Sequence, residues 1–183
     1  MLQVNIEDAT MLSMGCRGVY FALTEGEAKH LLEATNDESI IQFIQEDIER
    51  RWDEEWLQEA DKSWDAIHRC LTDGSLRCRS GSPLEKFVLG GRQLHRDKNY
   101  IVSFLNSDDV SQVVNAARDI RKDWFRDRYF SLKKKFLWFT FCSYDGPIDE
   151  TDFEYSWSYF EKIRAFFQKA SDAGRSVLFT VDQ

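Results

Sequence analysis

The apolar positions of this chain change period several times, and each change marks an element. Val19, Tyr20, Phe21, Ala22 and Leu23 form a β-branched and aromatic run that predicts a first strand. Thr24-Glu25-Gly26-Glu27 follows as a capping box, the Thr hydroxyl taking an orphan N–H while Glu27 reaches back. The helix behind it turns Ala28, Leu31 and Leu32 toward a core and ends near Asn36. Ser39-Ile40-Ile41-Gln42 reads as a second capping box, opening a helix with Phe43, Ile44 and Ile48 on one stripe that runs toward Trp52 and Trp56.

A third helical period covers residues 61–71. At about 100° per residue, Ala60, Trp64, Ile67 and Leu71 fall within one narrow arc. Thr72-Asp73-Gly74 ends it, with Gly74 suited to the left-handed cap position. Residues 75–83 read as a loop, and Phe87-Val88-Leu89 as a short strand halted by Gly90-Gly91. Residues 100–105 alternate as a strand or form the extended lead into a helix. Ser107 then caps a helix with the stripe Val110, Val113, Val114 and Ala117, and helical character continues through residues 123–129. The aromatic run 136–142 reads as a strand, and Asp145-Gly146-Pro147 as a turn.

The last helix is the plainest. Thr151-Asp152-Phe153-Glu154 has the form of a capping box, and Phe153, Trp157, Tyr159, Phe160, Ile163, Phe166, Phe167 and Ala170 cover about half the circumference behind it. Gly174 stops this helix, and residues 176–181 return as a strand too apolar to stand alone. The expected fold is therefore one α+β domain. Its small mixed sheet includes the N- and C-terminal strands and packs against several helices, with a long amphipathic C-terminal helix.

Composition narrows the class. A chain of 183 residues with 43% hydrophobic and 14% aromatic side chains can bury a sizeable core without metal or disulfide. Its longest apolar run is far shorter than the ~20 residues that span a bilayer, and its first 13 residues carry Glu7 and Asp8 but no Lys or Arg, unlike a signal peptide. A cytoplasmic protein with no membrane segment is expected. Cys16, Cys70, Cys78 and Cys142 show no C-x-x-C pair or zinc-finger spacing, so reduced, mostly buried thiols and no metal are expected. No motif calls for a cofactor.

The net charge of −8 is unevenly placed. Residues 25–61 hold thirteen acids against Lys29, Arg50 and Arg51, whereas residues 118–135 hold eight bases against three acids. An acidic chain is repelled by phosphate backbones, so no nucleic-acid partner is expected. The basic segment reads either as a solvated face or as a local contact for phosphate or an acidic partner.

Two constellations could carry chemistry. Gly15 and Gly18 flank Arg17 before the first strand, where backbone N–H groups and a guanidinium could meet a small anion, or where the glycines simply permit tight packing. On a continuous helix Asp61, Asp65 and His68 would lie within about 60° of one another, beside Trp64. They could share a proton or begin a ligand site, or serve as helix-end acid, salt-bridge partner and packed imidazole. No G-x-G-x-x-G, P-loop, G-x-S-x-G or H-E-x-x-H motif is present, and no spacing pairs a cysteine with His30, His68 or His95.

Four stretches resemble the YfbM-like family of bacterial proteins, whose function is unknown. They are Met14-Gly15-Cys16-Arg17-Gly18-Val19-Tyr20-Phe21-Ala22-Leu23-Thr24, Asp61-Lys62-Ser63-Trp64-Asp65-Ala66-Ile67-His68, Leu89-Gly90-Gly91, and the helix and strand from Tyr155 to Asp182. The likeness implies a soluble bacterial α+β domain over residues 14–183, with residues 1–13 as an extension outside it, and brings no catalytic residues. Two functions are consistent with these features. One is a protein-binding module, an inhibitor or immunity-type partner of a basic protein, motivated by the acidic 25–61 region. The other is a small-molecule-binding protein or enzyme with a pocket among Arg17, Asp65, His68, Gly90 and Gly91.

Overall fold

The computed structural model describes residues 16–34, 36–78, 81–96, 100–132 and 146–182. The strands β1 (Arg17–Leu23), β2 (Leu57–Asp61), β3 (Arg92–Arg96), β4 (Tyr100–Leu105) and β5 (Ser176–Asp182) form one sheet in the order β2-β1-β5-β4-β3. Every pairing is antiparallel, so the sheet contains the expected N- and C-terminal strands but is not of mixed direction. β1 and β5 lie side by side at its centre, with Arg17 opposite Asp182 and Leu23 opposite Ser176.

The helices are α1 (Glu25–Glu33), α2 (Asp37–Phe43), α3 (Ser63–Leu71), α4 (Ser107–Ala117), α5 (Lys122–Phe130) and α6 (Glu150–Asp172). A π-helical turn, Ile44–Glu49, continues α2, and a 3₁₀ turn, Pro83–Phe87, precedes β3. One face of the sheet carries Tyr20, Ala22, Val177, Phe179 and Ile101 against α3, α4, α5 and α6. The other carries Phe21, Leu23, Val102, Phe104 and Leu178 against Ala28 and Leu31 of α1 and Ile44 and Ile48 of the π turn. Burial on both faces explains why the three inner strands read as nearly unbroken apolar runs, a pattern more usual in parallel sheets.

α6 is the strut of the larger layer. Phe153, Trp157, Phe160, Ile163, Phe166 and Phe167 are all buried, and each such side chain contributes about 1.5–3 kcal/mol by leaving water. Phe87 lies between Phe160 and Phe167, with ring centres 5.3 and 5.0 Å away.

Several local expectations are corrected. The 87–89 run is not a strand: it is the end of the 3₁₀ turn and the bend after it, fully buried under α4 and α6. β2 and β3 carry no apolar alternation because they are the sheet edges, where charged and polar side chains discourage pairing with another chain. The caps of α2, α4 and α6 are Asn36, Asn106 and Asp149, not Ser39, Ser107 and Thr151. Leu32 is on the exposed side of α1. The predicted strand 136–142 lies outside the described residues, as does Gly15. No helix of the described residues is long and apolar enough to cross a membrane.

Candidate functional site

Arg17, Gly18, Asp61 and Trp64 come together where β1, β2 and α3 meet. A bulge in the β1–β2 pairing places Gly18 opposite Asp61. A Cβ on Gly18 would lie 2.8 Å from the Phe179 ring and 3.0 Å from Trp64 Cδ1, so the strand needs a glycine for α3 to press this close. The Trp64 indole N–H donates to the Cys16 carbonyl at 3.1 Å, anchoring the entry to β1.

Asp61 does not share a helix face with Asp65 and His68. It ends β2, with a left-handed backbone (φ 46°), and α3 starts two residues later at Ser63. Its carboxylate accepts the Tyr155 hydroxyl at 2.9 Å and lies 3.7 Å from Arg17 Nε. A non-glycine residue in this region costs of the order of 1 kcal/mol and persists only where its surroundings hold it. Here Tyr155 does so, accepting the Lys62 N–H at 3.3 Å as well.

Asp65 instead pairs with Arg69 one turn on, at 2.5 Å. The Arg69 side chain is only 4% exposed and also donates to the Gly74 carbonyl at 2.9 Å. The pair therefore braces the turn after α3. His68 is fully buried on the same helix. Gly90 and Gly91 sit elsewhere. A Cβ on Gly90 would meet the Glu85 carbonyl at 2.6 Å, and Gly91, with φ 84°, lies against the Phe104 carbonyl. Phe104 is in register with Leu178 and Phe21, whereas Arg17 is in register with Asp182 and Tyr100. At about 4.8 Å per strand and 3.3 Å per residue, Gly91 and Arg17 are more than about 12 Å apart. Among the described residues, Arg17 and Gly90-Gly91 therefore do not line one pocket.

Tyr155 and Tyr159 complete the cluster, their rings edge-on at 4.9 Å. Burial first, and then the Asp61 carboxylate, push both phenols up in pKa, and the Tyr155 hydroxyl keeps the proton it donates to Asp61. Their i, i+4 spacing on α6 was the sequence signal for this pair.

A second concave region opens between α1 and the π turn. It is a cleft of about 550 Å³ walled by Glu27, Phe43, Glu46, Asp47 and Arg51. Arg51 pairs with Glu27 at 2.6 Å. Partial burial raises the Glu27 carboxyl, but hydrogen bonds from Thr24 and Arg51 outweigh it and hold the group below the ordinary glutamate range. Arg50 also lines the cleft, and the stretch of chain that forms it carries further exposed carboxylates at Glu25, Glu33, Asp37, Glu38 and Glu54. Beside it Trp52, 41% exposed and left-handed (φ 45°), stands edge-on to Phe21. Among the described residues no three His, Cys, Asp or Glu side chains gather closely enough to hold a metal ion.

The family model described as "Domain of unknown function (DUF1877)" matches residues 14–180. The crystal structure of YfbM from Escherichia coli, a protein of unknown function, superposes with a TM-score of 0.68 over 90% of this chain and 99% of that one, at 15% identity. That likeness concerns the fold alone. Among curated proteins none matches. With the family model spanning nearly every element of the sheet and both helical layers, the chain belongs to the DUF1877 family, the YfbM-like proteins of unknown function.

Proposed function

We propose that this chain is a cytoplasmic bacterial binding module, carried by residues 14–183 with residues 1–13 outside it, that takes a basic protein partner on its α1–α2 face in the manner of an inhibitor or immunity-type protein. The observation that supports this best is the charged cleft, with Glu46 and Asp47 in its wall and the exposed indole of Trp52 next in the chain to its Arg51. Clustered carboxylates steer a basic partner and set its orientation more than its affinity. Affinity needs an anchor, and an exposed tryptophan is the residue type that most often supplies one. Trp52 is already positioned by its left-handed backbone and by Phe21, which lowers the cost of ordering it on binding.

The test is affinity capture from the native host by the wild-type chain and by a variant carrying Trp52→Ser, Glu38→Gln, Asp47→Asn and Glu54→Gln, at low and high salt. A basic protein held stoichiometrically by the wild type, and lost from the variant and at high salt, is the expected result. Equal retention by the variant, or no stoichiometric partner, would overturn the reading.

The left-handed backbone of Asp61 favours a second reading, a small-molecule site at Arg17, Asp61 and Tyr155. Its signature would be a ligand whose thermal stabilisation disappears with Arg17→Ala but survives in the Trp52 variant.

A further inference from the structure

A groove of about 460 Å³ runs between α4 and α6, on the opposite side of the sheet from Trp52. Its volume falls within the ~300–1,000 Å³ typical of small-molecule sites. Phe87, Val114 and Phe167 give it an apolar floor, and the small side chains of Ala117 and Ala165 leave the space open. Two guanidiniums line it. Arg164 donates to the Ile120 carbonyl at 2.9 Å and keeps its other nitrogen 4.0 Å from Glu161. Arg118 is exposed and donates to the Asn115 side-chain oxygen at 2.7 Å, and among the described residues no carboxylate lies within ion-pair distance of it.

On a chain of net charge −8, two arginines beside one glutamate over an apolar floor form a local positive well. Arginine is suited to this task because its planar fork binds carboxylate or phosphate through two parallel hydrogen bonds and loses little entropy in doing so. Neither a pure anion nor a pure hydrocarbon would use both halves of the groove. We propose that this groove binds a small amphiphilic anion, its head at Arg118 and Arg164 and its apolar body along Phe87, Val114 and Phe167. The site is independent of the acidic face, and its failure would leave the partner-binding reading untouched.

Isothermal titration with decanoate and with decyl phosphate, both below their micellar range, tests the proposal and distinguishes a carboxylate from a phosphate head. Decanol and decyltrimethylammonium are the uncharged and cationic comparisons. Saturable one-to-one binding of at least one of the two anions is expected, with neither comparison binding. Arg118→Ala, at an exposed position, should weaken the anion about tenfold, the loss of one charge-assisted contact. Ala165→Leu, also exposed, should block the groove without disturbing the fold. Failure of both anions to bind, binding of decanol or the cation with equal strength, or anion binding unchanged in both variants would overturn the proposal.

Discussion

The Arg175 guanidinium lies 3.6 Å from the centre of the Trp56 ring, and Lys169 Nζ lies 4.3 Å from it. Two cations thus lie over this indole, and each also reaches the backbone. Arg175 donates to the Ala22 carbonyl at 3.0 Å and Lys169 to the Glu55 carbonyl at 2.6 Å. The loop before β2 is thereby tied to the end of α6 and to the central strand. Arg175→Met keeps the aliphatic stem and removes both polar contacts, at a cost of about 1–2 kcal/mol. Thermal unfolding should show the midpoint falling by roughly 2–8 °C. An unchanged midpoint would mean that these contacts are ornamental.

Gly18 and Gly26 should respond in opposite directions to alanine. Gly18→Ala forces the Phe179 ring and Trp64 to move, an overpacking cost of about 1–3 kcal/mol. Gly26, in the first turn of α1, has nothing within 4 Å of an added Cβ, so alanine there should stabilise by about 0.4–1 kcal/mol. Urea unfolding of the two variants measures both signs.

Glu27 links stability to acid. Its folded carboxyl titrates below the ordinary glutamate value of 4.5, so its contribution is fully present above that pH and disappears as pH falls through the lower, folded value. Glu27→Gln should therefore lower the unfolding midpoint at neutral pH, with the gap to wild type closing below about pH 4.5. A gap that persists in acid would assign the effect to packing instead.

Thiol chemistry should separate two cysteines. Cys70 is buried, and that burial pushes its thiol well up, whereas Cys78 is exposed. Iodoacetamide labelling followed by mass spectrometry should modify Cys78 in the native protein and Cys70 only after urea is added, because the thiolate is the reactive form. Rapid native labelling of Cys70 would contradict its placement under α5.

Tyr155→Phe removes the hydroxyl that holds Asp61 and the Lys62 N–H. A hydrogen bond to a charged group contributes about 1.5–3 kcal/mol. With Asp61→Asn already in place the same change should cost measurably less, since the two groups act as a pair. A double-mutant cycle by chemical denaturation reads that difference, and strict additivity would show that Tyr155 works through other neighbours.

The elements legible in the sequence are those whose side chains meet the core on a regular period. β1, β5 and α6 are of this kind, and so is the membership of the first and last strands in one sheet, whereas their direct pairing emerges only in three dimensions. The edge strands were hidden because Gln58, Glu59, Arg92 and Gln93 are polar at successive positions and carry no apolar alternation. β2 also misled the site. Ala60 is buried and falls in phase with Trp64 and Ile67, so the helical period runs back across a strand and carries Asp61 onto the wrong face. The cap positions shifted because Asn and Asp stand just ahead of the Ser and Thr residues, and their short side chains cap at least as well. Neither the cleft beside Trp52 nor the α4–α6 groove could be seen in one dimension, since each is a gap left by how separate helices pack.

The adjacency of β1 and β5 also governs how the molecule comes into being. Ala22 and Arg175, in contact across that junction, are 153 positions apart. Closing so long a segment is entropically costly and slows folding. During synthesis β1 meets its inner neighbour only after the long segment between them has been made. Until β5 joins it, the edge of β1 away from β2 keeps its backbone N–H and C=O groups unpaired, and that edge is where pairing with another chain has to be prevented.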